Sequence, residues 1–97
     1  MFYTYRQNNS GGFWDGRKYI IVEANTSKDA DTIAENNTPV YFNGISKDID
    51  CPCCENRWYN AYCDDGVEVP SLDGVPITDE DTDYAIYYLN GEITEKY

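Results

Sequence analysis

The chain has 97 residues, with eighteen acids against seven bases for a net charge of −11, enough for one domain with a modest core. An acidic surface is repelled by phosphates, which argues against direct binding to nucleic acid and to anionic membranes. The sequence has no histidine, which removes the commonest general base and the commonest nitrogen ligand for zinc.

Hydrophobic residues still make up 41% of the chain, so a folded domain is expected. Ten tyrosines supply much of that fraction and favour ring burial with hydroxyls kept near water or a partner. No apolar run approaches the ~20 residues of a membrane span. Met1 leads straight into Phe2-Tyr3-Thr4-Tyr5, with no visible signal peptide, so a cytosolic location is expected.

In chain order, residues 2–6 read as a short strand, and the polar, Gly-rich stretch 7–17 reads as a long loop. Residues 18–24, Lys-Tyr-Ile-Ile-Val-Glu-Ala, read as a stronger strand, with Ile20, Val22 and Ala24 on one face. A short helix is predicted over 26–37, capped by Thr26 with Asp29 three residues on. Ala30, Ile33 and Ala34 form its narrow apolar stripe, and Asn36-Asn37 suits a left-handed end. Residues 40–42 resume an extended strand, and the stretch 64–83 is turn-rich, with one short strand around 67–69.

The last segment carries the clearest signal. Asn90-Gly91 between two strand-like runs marks a hairpin with a two-residue turn. That turn sets Leu89 opposite Glu92, Tyr88 opposite Ile93 and Tyr84 opposite Tyr97. One face, with Tyr84, Ile86, Tyr88, Ile93 and Tyr97, is expected to be buried; the other, with Tyr87, Glu92 and Thr94, is expected to be wet. The fold class predicted is α+β: a mostly antiparallel sheet with one short helix and a C-terminal hairpin in a single domain over 1–97.

Charge is unevenly spread along that domain. Residues 58–97 hold ten acids and one base, Lys96 (−9), while residues 1–57 hold eight acids and six bases (−2). The first part reads as a nearly neutral scaffold and the second as an acidic surface. Asp64, Asp65, Glu68, Asp73, Asp79, Glu80, Asp81 and Asp83 are its candidate partner-binding carboxylates, with Phe13, Trp14, Tyr62 and Tyr87 as aromatic anchors. Asp79-Glu80-Asp81-Thr82-Asp83 resembles the start of a calcium loop, but Tyr84 and Asn90 stand where an EF-hand needs Gly and Glu, which favours a solvated turn.

Cys51, Cys53, Cys54 and Cys63 cluster within a short stretch. The C-x-x-C of Cys51 and Cys54 has the spacing of a structural zinc knuckle, with Cys63 as third ligand and Cys53 or a nearby Asp as fourth. Free thiols and a disulfide are the alternatives; a redox dithiol is disfavoured by the carboxylates around it. Arg6, Gln7, Asn8, Asn9 and Ser10 make a donor-rich loop able to cradle a polar ligand, or else an ordinary connection. Neither a Ser/His nor a Cys/His pair is present, so no enzyme is expected.

Taken jointly, Tyr5-Arg6-Gln7-Asn8-Asn9-Ser10-Gly11-Gly12, Ile21-Val22-Glu23-Ala24 with its following helix, Tyr41-Phe42-Asn43-Gly44, and Asp50-Cys51-Pro52-Cys53-Cys54 with Arg57-Trp58-Tyr59 resemble a group of small tailed-bacteriophage proteins. The chain departs from that pattern at Asn43 and Glu55. The resemblance implies a phage accessory protein in the host bacterial cytoplasm and carries no activity over. The leading expectation is an inhibitor whose acidic, Tyr-rich surface occupies the basic groove of a host protein handling nucleic acid, of CRISPR or restriction type. The alternatives are a sponge for a nucleotide immune signal and a zinc-stabilised structural module.

Overall fold

The alternating residues Phe2-Tyr3-Thr4-Tyr5-Arg6 and the unbroken apolar run around Ile20-Ile21-Val22 form the first two strands of the sheet. They are β1 (Phe2–Arg6) and β2 (Tyr19–Glu23) in the computed structural model, which describes residues 1–7, 18–42, 58–61, 66–72 and 75–96. Next come α1 (Ser27–Asn37), β3 (Ser71–Leu72), β4 (Val75–Pro76), β5 (Tyr84–Tyr87) and β6 (Ile93–Lys96). The main sheet runs β1-β2-β5-β6, and β3 pairs with β4 in a separate two-stranded ribbon. The outer pairs are antiparallel and the central β2–β5 pair is parallel, Tyr19 opposite Tyr84 and Val22 opposite Tyr87. The architecture is the α+β arrangement read from the sequence, a mostly antiparallel sheet with one short helix.

β2 is continuous in apolar residues because both of its faces are covered. Ile20, Val22 and Ala24 lie on the helix side with Tyr3, Tyr5 and Ala85, under Ala30 and Ala34 of α1 and beside Val40, Phe42 and Trp58. Ile21 lies on the opposite side with Phe2, Tyr84 and Ile86, covered by Val67, Leu72 and Ile77. The small residues Ala30 and Ala34, both fully buried, let the helix backbone approach the sheet. Thr26 caps α1 as expected, its side chain accepting from the Asp29 N–H at 3.1 Å.

The ends of the elements depart from the sequence reading in five places. α1 is closed by Thr38, its C-cap, in extended rather than left-handed backbone; the Thr38 N–H and hydroxyl both donate to the Ala34 carbonyl, at 3.1 and 2.6 Å. The Asn36-Asn37 pair is therefore not a left-handed cap: the threonine hydroxyl already satisfies a terminal carbonyl. Residues 40–42 form no strand; Val40 and Phe42 serve as core plugs. The sequence also allows a compact parallel crossover from 18–24 through the helix to 40–42, but β2 takes β5 as its parallel partner instead. Around 67–69 only Val67 bonds a strand, bridging Phe2 through Phe2 N to Val67 O at 2.7 Å and Val67 N to Phe2 O at 3.0 Å. The β3–β4 ribbon follows instead, with Leu72 opposite Val75.

The fifth correction concerns the hairpin. β5 and β6 do pair antiparallel, but Tyr87 is opposite Ile93 and Tyr84 is opposite Lys96, one residue off the predicted register. The turn holds three residues. Gly91 N donates to Tyr88 O at 3.0 Å, and Tyr88 N donates to Glu92 O at 2.8 Å, with Gly91 at φ +93°. A three-residue turn closed by a left-handed glycine is the next commonest hairpin after the two-residue form. A one-residue slip moves a side chain to the other face. Ile93, expected to be buried, is 56% exposed, and Tyr87, expected to be wet, is half-buried against the helix-side core. Tyr84, Ile86 and Tyr88 keep the face predicted for them, with Tyr88 edge-on to Phe2 at 5.9 Å.

Candidate functional site

The acidic turn before β5 is held by its own carboxylate. Asp81 Oδ2 accepts from the Thr78 N–H at 2.8 Å and from the Thr78 hydroxyl at 3.3 Å, and Asp81 N returns a bond to Thr78 O at 3.2 Å. Asp79 and Glu80 stand exposed at the tip. Lys96 Nζ donates to the Asp79 carbonyl at 2.7 Å, which fastens the end of β6 to this turn. Asp83 follows in left-handed backbone, φ +64°, a conformation that Asp tolerates better than most residues. Its carbonyl accepts from Tyr19 N at 3.3 Å and leads the chain into β5. Glu68 is exposed beside the Val67 bridge.

Four predicted partner-binding carboxylates, Glu68, Asp79, Glu80 and Asp83, therefore face solvent, while Asp81 is half-buried and structural. The turn does not stand in a purely negative field. Arg6 ends β1 and Lys18 immediately precedes β2 at the same end of the sheet, with Gln7 N bonded to Lys18 O at 2.7 Å and Lys18 Nζ 5.5 Å from the Tyr19 ring centre. Gln7, a candidate of the ligand loop, is only 3% exposed.

At the opposite end of the sheet lies a second acidic region that the sequence reading left out of the binding set. Glu92 is exposed just before β6, and Glu23 Oε1 accepts from Leu89 N at 3.0 Å below the hairpin tip. A groove of about 240 Å³ opens beside them, lined by Ile33 and Asn37 of α1 and by Tyr87, Tyr88, Glu92 and Ile93. Tyr87, proposed as an anchor, sits in the wall of this groove. The missed signal was positional: Glu92 leads into β6, the final strand of the order and an edge, where side chains on both faces stay accessible.

Asp31 of α1 gathers three donors in a polar node on the helix side. Its Oδ1 accepts from the Tyr5 hydroxyl at 2.7 Å and from Ala61 N at 2.9 Å, and its Oδ2 accepts from Asn60 Nδ2 at 3.2 Å. The node docks the chain after Trp58 against α1 and has the makings of a structural clasp, all of its contacts being internal.

Phe13, Trp14, Tyr62, Asp64, Asp65, Asp73, Asn8, Asn9, Ser10 and the four cysteines Cys51, Cys53, Cys54 and Cys63 lie outside the described residues. Among the described residues no cluster of three or more Cys, Asp or Glu side chains is arranged to hold a metal ion, and no helix is long and apolar enough to cross a membrane. A family model described as a domain of unknown function, DUF7296, matches residues 1–97. No curated protein and no solved structure matches the chain.

Proposed function

The chain belongs to the DUF7296 family, a domain of unknown function, and we propose that it is a phage accessory protein that binds and inhibits a host defence protein handling nucleic acid, of CRISPR or restriction type, in the bacterial cytoplasm. The observation that supports this most directly is the set of exposed carboxylates on well-anchored backbone. Asp79 and Glu80 sit on a turn closed by Thr78–Asp81 bonds and tied to Lys96, and Asp83 sits where the chain enters β5. Carboxylates on anchored backbone lose less freedom when they meet a partner, which suits them to imitate phosphates. The charge of −11 gives long-range attraction to a basic groove and repels nucleic acid itself. The resemblance to phage proteins supplies the biological setting.

Capture from a bacterial host lysate with the immobilised protein tests this. The expected partner carries a basic groove, is released as salt rises, and is displaced by duplex DNA or RNA. Binding that is equal at low and high salt, or indifferent to nucleic-acid competitor, rejects charge mimicry.

A further inference from the structure

Among the described residues, β6 is paired on one edge only. Tyr88 N donates to Glu92 O, so Tyr88 and Glu92 form a hydrogen-bonded pair of the antiparallel ladder. By alternation, Ile86–Thr94 and Tyr84–Lys96 are the next such pairs. The peptide groups of Ile93 and Glu95 therefore point away from β5, out of the sheet. Among the described residues no strand or bridge takes up that outer edge.

Natural edge strands are usually kept from pairing by charge, by proline or by a bulge. β6 carries only part of that protection. Ile93 is 56% exposed and stands on the wall of the groove between α1 and the hairpin, where Tyr87 and Ile33 add apolar surface. Glu95 follows two residues on and shares the face of Ile93. Glu92 lines the groove, and so does Asn37, the last residue of α1. The helix C-terminus contributes partial negative charge there, and no basic residue of its last turn offsets it. The site combines free backbone donors and acceptors, an apolar recess and negative charge.

We propose that the β6 edge and this groove form a strand-addition site for an extended basic segment of the partner protein, with an apolar residue entering the groove beside Ile93 and a Lys or Arg two residues away opposite Glu95. Backbone hydrogen bonds supply the grip in this mode of recognition, and alternate side chains supply the choice of partner. Charge selects this occupant over a second copy of the chain, because two copies at −11 each repel. The inference rests on the reading of the chain as an acidic binder of a basic host protein, and names where and how it grips.

The test uses the full chain and the acetylated, amidated peptide Thr-Lys-Thr-Val-Thr-Lys-Thr, whose symmetry serves either strand direction. Amide hydrogen exchange is followed by NMR with millimolar peptide. The expected result is exchange slowed about threefold or more at Ile93 and Glu95. That slowing is lost with a peptide N-methylated along one edge and with one carrying Glu for Lys. The charge swap Glu95→Lys, on an exposed position, should reverse the preference between the Lys and Glu peptides. Strand addition is overturned by a silent peptide, by protection elsewhere, by indifference to N-methylation, or by a free protein already dimeric through these amides. Salt-sensitive capture of a basic host protein alongside a silent peptide refutes strand addition and leaves the acidic binder standing. Peptide docking with no basic host partner refutes the host-inhibitor reading alone.

Discussion

Asp31 shows how much one side chain can organise in so small a domain. The Tyr5 hydroxyl, the Ala61 N–H and the Asn60 amide all converge on its carboxylate, joining β1, α1 and the segment after Trp58. Tyr5 is only 2% exposed, so its hydroxyl is poorly placed to exchange that acceptor for water. Asp31→Ala should lower the unfolding free energy by about 1–3 kcal/mol, measured by urea denaturation, while Asp31→Asn, which keeps an acceptor oxygen, should cost less. Equal losses in the two variants would mean that the bonds to Asp31 Oδ1 matter little. Nothing in the sequence marked Asp31. It sat on the polar side of a predicted helix, and its partners are 26 to 30 residues away. Gly66 is a similar case: a Cβ there would stand 2.9 Å from the Tyr3 ring, a close approach visible only once the chain has folded.

At the level of elements, β1, β2 and α1 were legible because their signals are local. Strand alternation, a β-branched run and a threonine cap act through immediate neighbours. The hairpin was legible in kind but not in register. Asn-Gly is compatible with two-residue and three-residue turns, and the choice shifts each facing pair by one. Glu92 N donates to Asn90 Oδ1 at 2.9 Å, a side-chain turn that helps fix the longer form. Gly91 then bears the left-handed position. No atom lies within 4 Å of a Cβ added there, so substitution costs backbone conformation alone. Gly91→Ala should destabilise by about 1 kcal/mol, lowering the melting temperature by about 4–8 °C; an unchanged melt would show that the turn relaxes freely.

Across the whole molecule, the two acidic regions lie at opposite ends of the sheet, and only one was foreseen. The turn over 78–83 shares its end with Arg6 and Lys18, whereas the hairpin end gathers Glu23, Glu92 and the close of α1. The lopsided sequence charge therefore does not translate into a single acidic face. Neutralising Glu68→Gln, Asp79→Asn, Glu80→Gln and Asp83→Asn together leaves Asp81 to hold Thr78 and moves the net charge from −11 to −7, four charges removed. Each of the four side chains is exposed, so the melting temperature should stay within a few degrees of wild type. Salt-sensitive capture of the host partner should fall sharply. Full binding by this variant would shift the contact to the β6 end or away from charge altogether.

By itself the sequence determined the fold class, the helix with its cap, the first two strands and the existence of the final hairpin, since these follow from periodicity and turn chemistry within a few residues. It also determined the total charge of −11, on which the proposal of a basic partner rests. Only the tertiary structure decided that β5 lies parallel to β2, that Ile93 faces solvent while Tyr87 packs inward, and that β6 is the last strand of the sheet among the described residues. Those outcomes depend on which segments meet across the sheet and in which register, and a hydrophobic pattern that repeats every second residue is equally satisfied by several such meetings until the rest of the core selects one.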